Sequence, residues 1–294
     1  MTLAIPFTVG RLRAWLLDAG DVALDGGAMF GVVPKTLWER YMPADARNRI
    51  AMCMRSVLIE HPSGLVLIEA GAGDKDEPKF QALYGLQNAG SPTRLEDAIR
   101  AAGHTPEAVE HVLLTHLHFD HAGGATARDP ERGAGAVRLA FPNAVYQVQR
   151  GEWEWAHLNN ERIRASYLPA NYEPLHAAGR LTLVEGDGAL LPGIEARVTP
   201  GHCPWHQTIL IRDAGETAAY LGDLIPTAAH LPLPWIMGYD VEPLRTLETK
   251  RLIIAEAIRD RWTIIFDHDA SVAAGRLGQG AKGVELLDIT SARA

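Results

Sequence analysis

The sequence predicts an α/β fold in which helices lie outside β-sheets. Strand-like and helix-like segments alternate along the 294 residues, without a low-complexity linker or a short-period repeat. Hydrophobic residues make up 47% of the chain and charged residues 22%, which is the balance of an ordinary globular protein with a large core. We therefore predict a single domain over residues 1–294 rather than two smaller ones.

The individual elements follow from periodicity and from turn residues. β-rich runs on either side of a Pro–Gly break indicate a hairpin, serine before proline is typical of a helix start, and glycine is typical of a helix end. The predicted strands are 56–60, 65–68, 111–115, 144–148, 181–184, 195–198, 208–211, 218–221 and 263–266. The predicted helices are 91–103 with Ser91 as N-cap, a short one from Thr105, and two long ones at 149–166 and 243–259.

Charge and composition exclude several kinds of partner. A net charge of -8 and a pI near 5.8 give no general attraction for nucleic acid or anionic lipid. The N-terminus lacks a signal-peptide pattern, and no run approaches the roughly 18 apolar residues of a membrane helix. The two cysteines, Cys53 and Cys203, are too few for a disulfide framework and are expected to be buried. We expect a soluble cytoplasmic protein.

The stretch THLHFDHAGG at residues 115–124 carries the strongest chemical signal. Residues two apart in an extended segment point the same way, so His116 and His118 can converge on one metal ion. Asp120 and His121 lie beyond the bend and can reach a second ion. A histidine-rich surface loop is the alternative, but this spacing after an apolar strand favours a metal site.

More metal-ligand side chains follow other strand-like runs. His202 ends the stretch VTPGH, Asp223 ends AYLGD, and His268 ends IIFDH. Glycine directly precedes the first two, where the backbone can bend and direct a side chain. Together with the four residues of THLHFDHAGG, these seven side chains are enough for two adjacent metal ions.

HLHFDH, TPGHCPWH, YLGD and FDH together resemble the ordered motifs of the metallo-β-lactamase superfamily of metallohydrolases, over most of the chain. The resemblance implies an αββα sandwich of two mixed β-sheets flanked by helices, with a dinuclear site at one edge of the sheets. By the same resemblance, one metal is held by His116, His118 and His202, the other by Asp120, His121 and His268, and Asp223 bridges the two.

Details within the superfamily separate its branches. Asp223 stands where β-lactamases with two zinc ions usually have cysteine, and the 26 residues after His268 leave little room for the helical domain of hydroxyacylglutathione hydrolases. Residues 25–38, DGGAMFGVVPKTLW, resemble the N-terminal signature of the branch with N-acyl homoserine lactonases and methyl parathion hydrolase. The resemblance implies a quorum-quenching lactonase or related esterase that uses a metal-bridging hydroxide. A phosphotriesterase is the alternative within that branch.

The expected cofactors are two divalent metal ions per chain, with zinc first and manganese, iron or cobalt as alternatives. Asp120 and Asp223 would orient the attacking hydroxide as well as bind metal, which makes them the catalytic carboxylates. The expected partner is a small-molecule lactone, ester or phosphotriester, without nucleic acid or membrane, and a homodimer stays open. Two other classes also stay open, namely redox or sulfur chemistry with iron and a non-catalytic metal-binding module.

Several further positions bear on the substrate. Pro226 occupies the position of the tyrosine found in many of these lactonases, and Glu69 occupies that of a common aspartate. We expect Glu69 and His206 to support the metal ligands from behind. Trp153 and Trp155 are expected to be ordinary helix or core residues. The residues proposed to bind substrate are Met29, Phe30, His230, Trp235, Met237 and Tyr239.

Overall fold

Two seven-stranded β-sheets form the centre of the computed structural model, which describes residues 2–88, 90–281 and 283–292. The strands are β1 (Ala4–Val9), β2 (Leu12–Asp25), β3 (Arg49–His61), β4 (Gly64–Ile68), β5 (Val109–Leu113), β6 (Thr126–Arg128), β7 (Val137–Leu139), β8 (Val145–Gln149), β9 (Leu181–Val184), β10 (Gly188–Leu191), β11 (Ile194–Val198), β12 (Gln207–Asp213), β13 (Glu216–Tyr220), β14 (Thr263–Ile265), β15 (Val272–Gly280) and β16 (Gly283–Ser291). The first sheet has the order β1-β2-β3-β4-β5-β8-β9, and the second runs from β10 to β16 in sequence order.

Both sheets are mixed. In the first sheet β4, β5, β8 and β9 pair in parallel, and in the second β13 and β14 pair in parallel, whereas the remaining pairs are antiparallel. β6 and β7 form a separate two-stranded ribbon. Because parallel neighbours end at the same edge of a sheet, the loops after β5, after β13 and after β14 can bring their side chains together.

Helices cover the outer faces of the two sheets. The helices are α1 (Gly26–Phe30), α2 (Lys35–Trp38), α3 (Pro78–Tyr84), α4 (Arg94–Ala101), α5 (Phe119–Ala122), α6 (Arg150–Ala156), α7 (Glu173–Ala177) and α8 (Pro243–Arg259). α4 buries Leu95 and Ile99 against the first sheet, and α8 buries Ile253 and Ala257 against the second. Each helix of this kind buries one apolar face and leaves the other face to solvent.

A third apolar layer lies between the sheets. It is built by alternating side chains such as Val57 and Ile59 of β3 and Ile209 and Ile211 of β12, all of them almost fully buried. Both faces of each sheet are covered, which explains why these strands contain long apolar runs. The layer order is helix, sheet, sheet, helix, which confirms the predicted αββα sandwich.

The strand and helix predictions differ from the structure in several places. α8 begins and ends where predicted, but the helix predicted over 149–166 ends at Ala156 because Asn159 takes a positive φ of 47° and the Asn160 side chain accepts the backbone N–H of Arg162. Thr93 rather than Ser91 caps α4, since its hydroxyl accepts the N–H of Glu96. Several elements were not predicted at all, namely β1, β2, β6, β7, β10, β15 and β16 and the short helices α1, α2, α3, α5 and α7.

Two negative predictions can be compared with the described residues. Cys53 and Cys203 are both buried and unpaired, and burial raises the pKa of Cys53 to about 12, as expected for inert thiols. Across residues 2–88, 90–281 and 283–292, every helix is too short or too polar to cross a lipid bilayer.

Candidate metal centre and substrate cavity

Seven side chains of metal-ligand type meet where the two sheets open at one edge. They come from the loops after β5, β11, β13 and β14 and from α5, and we call them the ligand cluster: His116, His118, Asp120, His121, His202, Asp223 and His268. All except His118 are at most 7% exposed. The fold therefore brings together the seven side chains that were predicted from the sequence as metal ligands.

One group of ligand atoms combines His116, His118, His202 and Asp223, all within 4.8 Å of one another. His202 Nε2 lies 3.1 Å from His118 Nδ1 and 3.0 Å from Asp223 Oδ2. Two ligands that each bind a tetrahedral zinc ion at about 2.0–2.1 Å lie roughly 3.3 Å apart, so these separations fit a shared ion.

A second group combines His121, His268, Asp223 and Asp267. His268 Nε2 lies 3.3 Å from His121 Nε2 and 3.2 Å from Asp223 Oδ1. Asp120 faces the same two imidazoles, with oxygens 3.7 Å from His121 Nε2 and 3.8 Å from His268 Nε2. Asp223 belongs to both groups, and it is the only residue that does so among the described ones.

Three histidines of the cluster are held from their other ring nitrogen. Nδ1–H donates from His202 to Asp240 at 2.9 Å and from His268 to the carbonyl of Cys53 at 2.8 Å. His116 Nδ1 bonds the hydroxyl of Thr115 at 2.9 Å. Such partners fix the tautomer and the direction of the ring, so that the free nitrogen points at the cluster.

Two carboxylates lie behind His121. Glu69 Oε2 is 3.2 Å and Asp267 Oδ2 is 3.0 Å from its Nδ1. Glu69 also accepts the backbone N–H of Thr115 and has a positive φ of 63°, which directs its side chain under the loop. Sequence reasoning did not identify Asp267, although it stands next to His268 in the FDH motif.

His206 also supports the cluster without joining it. Its Nε2 accepts the backbone N–H of Asp223 at 3.2 Å, and its Nδ1–H donates to Thr199 Oγ1 at 2.8 Å. Burial lowers the pKa of His206 to about 3, so that the ring is neutral and can accept this bond. Both ring nitrogens are thus engaged in positioning the Asp223 backbone.

The unmatched polar atoms in the cluster fit bound cations. His116 Nε2 and Asp223 Oδ1 are buried without a hydrogen-bond partner in the part of the chain that the structure describes. Buried polar atoms are normally paired, so their position indicates a partner of another kind. Burial and the neighbouring histidines hold the pKa values of His116 and His118 well below the usual range, and neutral imidazole is the form that binds metal.

A cavity of about 210 Å³ opens onto the ligand cluster. Of the six residues proposed to bind substrate, Met29, Met237 and Tyr239 line it. The lining also contains side chains that sequence reasoning did not identify, including Trp155, which was expected to be an ordinary helix or core residue. We call the lining outside the ligand cluster the cavity wall: Leu24, Met29, Tyr84, Phe119, Trp155, Arg162, Ile163, Ser166, Cys203, Met237, Tyr239 and Val241.

The other three proposed residues, Phe30, His230 and Trp235, lie behind the wall instead. Phe30 is fully buried and stacks on His230 at a ring distance of 4.4 Å, and Trp235 packs edge-on against it at 5.6 Å. His230 Nε2–H donates to the carbonyl of Met29 at 2.9 Å. The three rings pack against one another and therefore form an aromatic layer behind the wall instead of lining the cavity.

Known proteins resemble this chain in family, in sequence and in structure. A model of the metallo-beta-lactamase superfamily matches residues 55–272. An N-acyl homoserine lactonase of Bacillus cereus is 27% identical over 282 residues, which are 90% of this chain and 95% of that protein. The crystal structure of a probable metal-dependent hydrolase from Staphylococcus aureus is 30% identical, with a TM-score of 0.86 over 96% of this chain and 98% of the other.

A more distant structure extends the likeness of fold. AidC, described as a dizinc quorum-quenching lactonase in complex with a product, is 20% identical, with a TM-score of 0.77 over 98% of both chains. At this identity the likeness concerns the fold alone.

Proposed function

Since the chain belongs to the metallo-beta-lactamase superfamily, we propose that it is a dinuclear metal-dependent hydrolase whose substrates are lactones or related carboxylic esters. The observation that carries this proposal is the ligand cluster, in which one carboxylate, Asp223, belongs to two adjoining groups of ligand atoms. Two groups that share a carboxylate are the arrangement expected for a pair of bridged cations. We further propose that residues 1–294 act as one domain.

We propose the division of ligands that the superfamily motifs imply, with Asp120 rather than Asp267 in the second set. His116, His118 and His202 would hold one cation, Asp120, His121 and His268 the other, and Asp223 both. When bound, two such cations make water a stronger nucleophile near neutral pH and polarise the carbonyl of the substrate. The donor set accepts zinc, manganese, iron and cobalt, and zinc is our first expectation.

The protein itself would orient the reactants and keep the site dry. The carboxylates of Asp120 and Asp223 face the space between the histidines and would orient the attacking water. Asp240, Glu69 and Asp267 would hold the imidazoles in register from behind. Phe119 and Met237 lie in the cavity wall, where they would exclude bulk water around the scissile bond.

Three features favour lactones and esters over β-lactams. Asp223 occupies the position where β-lactamases with two zinc ions usually have cysteine. The curated relative from Bacillus cereus is an N-acyl homoserine lactonase, which makes a quorum-quenching lactone the first substrate to test. The cavity wall is largely apolar, and its volume lies below the roughly 300 Å³ typical of pockets for drug-sized ligands, which favours a small substrate with a short acyl chain.

Pro226 separates this site from lactonases that carry a tyrosine at this position. Its carbonyl accepts the backbone N–H of His268 at 2.9 Å, so it contributes to positioning a ligand instead of contacting the substrate through a hydroxyl. The bound cation would then stabilise more of the charge on the substrate oxygen, and we expect activity to depend strongly on which metal is loaded. A phosphotriester is the second candidate because it would use the same groups.

The test is a substrate panel run together with metal analysis. N-acyl homoserine lactones, aryl esters, phosphotriesters and β-lactams would be compared by kcat/KM for the zinc, manganese and cobalt forms. We expect about two metal ions per chain and lactones or esters ahead of β-lactams. A β-lactam preference of about tenfold, equivalent to ~1.4 kcal/mol, would overturn the lactonase proposal, and trace metal after reconstitution would overturn the dinuclear site.

A further inference from the structure

The cavity wall contains one side chain whose chemistry differs from that of its neighbours. Arg162 is the only arginine or lysine in the lining among the described residues. It comes from the turn segment after α6, where its backbone N–H bonds the side chain of Asn160 at 2.8 Å. A guanidinium stays charged at every physiological pH, so it puts a permanent cation next to an otherwise largely apolar wall.

Arg162 is exposed and donates one side-chain hydrogen bond within the protein. Nη2–H donates to the carbonyl of Gly238 at 2.6 Å, which ties the turn segment to the loop that carries Met237 and Tyr239. Within the described parts of the chain the side chain forms no other hydrogen bond and no ion pair. A guanidinium has five N–H groups in a planar fork, so several donors remain available beside the cavity.

Trp155 belongs to the same lining, but its indole N–H is buried beneath the cavity surface and has no hydrogen-bond partner among the residues that the structure describes. The charged donor that a substrate can reach is therefore the guanidinium of Arg162.

We propose that Arg162 binds a planar oxygen acceptor on the part of the substrate away from the scissile bond, and thereby selects lactones that carry an acylamide arm. This inference rests on the proposed lactonase function and adds the residue that determines specificity. The amide carbonyl of an N-acyl homoserine lactone is an acceptor of this kind, and its short alkyl chain would lie along Met29 and Met237. A plain alkyl lactone has no such acceptor and gains nothing from the guanidinium.

The test compares Arg162→Gln with the wild type on two lactones of similar size. N-butanoyl homoserine lactone carries the amide on the α-carbon of the ring, and α-pentyl-γ-butyrolactone has an alkyl chain on that same carbon. Glutamine keeps an N–H for the carbonyl of Gly238 but loses the charge and the fork. We expect KM for the amide lactone to rise about tenfold with kcat within about twofold, whereas both constants for α-pentyl-γ-butyrolactone stay within about twofold.

Arg164→Gln is the matched control, because Arg164 is an exposed arginine two residues away that does not line the cavity. It should leave both substrates unaffected, and thermal melting would verify that both variants are folded. Equal changes in KM for the two lactones would mean that Arg162 only ties the loops together, and no change for either would also overturn the inference. A wild type that opens neither lactone would overturn the proposed function itself.

Discussion

The ligand cluster and the cavity wall differ in how their side chains are held. In the cluster nearly every side chain is buried, and histidines such as His202 and His268 are fixed from behind by a second hydrogen bond. In the wall, Tyr239 is 37% exposed and Arg162 has one side-chain hydrogen bond. The cluster is thus preorganised for one chemistry, while the wall can change without disturbing it.

The two regions also differ in how they are encoded. Four members of the cluster lie within six residues of one loop, whereas the wall collects side chains from α1, α3, α6, the turn segment after it and the loop before α8. A compact chemical motif with a dispersed wall lets substrate preference evolve separately from the reaction. Substitutions in each region can test this separation.

The largest effect is expected for Asp223→Ala. Removing the carboxylate shared by both groups should lower bound metal below two ions per chain, and turnover should fall by on the order of 1000-fold, because the cations supply several kcal/mol of charge stabilisation. Metal analysis and initial rates would measure this. Asp213→Ala is the control, since that aspartate pairs with Arg11 between β1 and β2 and belongs to neither group of ligand atoms, so its loss should have no effect on turnover. Unchanged turnover in Asp223→Ala would mean that the cluster is not the reaction centre.

The second prediction concerns Lys250, a buried side chain that holds the loop before α8, which contributes to the cavity wall. The ammonium of Lys250 on α8 is fully buried and donates to the carbonyls of His230, Pro232 and Trp235 at 2.6, 3.0 and 2.8 Å. Lys250→Met leaves these three carbonyls without their donor, which should cost about 3 kcal/mol of the free energy of unfolding. Denaturant titration would measure it.

Arg251→Met, on the next residue of α8, is the matched control for Lys250→Met. Arg251 has a surface ion pair with Glu248, and its loss should cost less than about 1 kcal/mol. Equal stabilities of the two variants would show that the loop before α8 does not depend on the buried ammonium. The cavity wall would then be held even less firmly, relative to the ligand cluster, than the hydrogen bonds of Lys250 indicate.

The third prediction concerns the groups behind the histidines. Asp240→Ala removes the acceptor of His202 Nδ1–H, so that the ring loses its fixed tautomer and direction. We expect metal affinity and kcat to fall about 10- to 100-fold, less than for Asp223→Ala. Competition with a chelator would measure affinity, with Glu242→Ala as the control, because among the described residues that carboxylate pairs with Arg245 alone. A metal affinity equal to that of the wild type would mean that His202 does not depend on Asp240 for its orientation.

The sequence predicted the ligand cluster well and the cavity wall poorly. The family, the αββα fold and the class of metal-dependent hydrolase are confirmed, because the motif residues are of rare type and fixed order. The roles of individual ligands stay predictions. Asp267 was not identified because its contact with His121 depends on the direction of the ring, which local spacing does not determine. Arg162 was not identified because the chain turns where periodicity indicated a helix, whereas Trp155 lies in the helix as predicted and was expected to be an ordinary helix or core residue.

The smallest effect is expected for a substitution of His157 in the turn segment after α6, which carries part of the cavity wall. His157, just after α6, places Nε2 2.5 Å from Glu173, and its Nδ1 bonds the carbonyl of Trp153. Burial alone would lower the pKa of His157, but the bond to the Trp153 carbonyl and the contact with Glu173 outweigh it and raise the pKa above its usual value.

A pKa raised in the folded state means that this pair stabilises the protein fully below the ordinary histidine pKa of about 6.5, and that the gain is lost as pH rises through the raised value. His157→Gln should therefore lower stability most near about pH 6, by less than about 1 kcal/mol because the pair is partly exposed, and the difference from wild type should shrink toward about pH 9. Urea titrations at both pH values would measure it, with high salt reducing the difference at the lower pH. A loss that does not vary with pH would mean that the imidazole packs but does not titrate, and the segment carrying Arg162 would then be held by packing instead of charge.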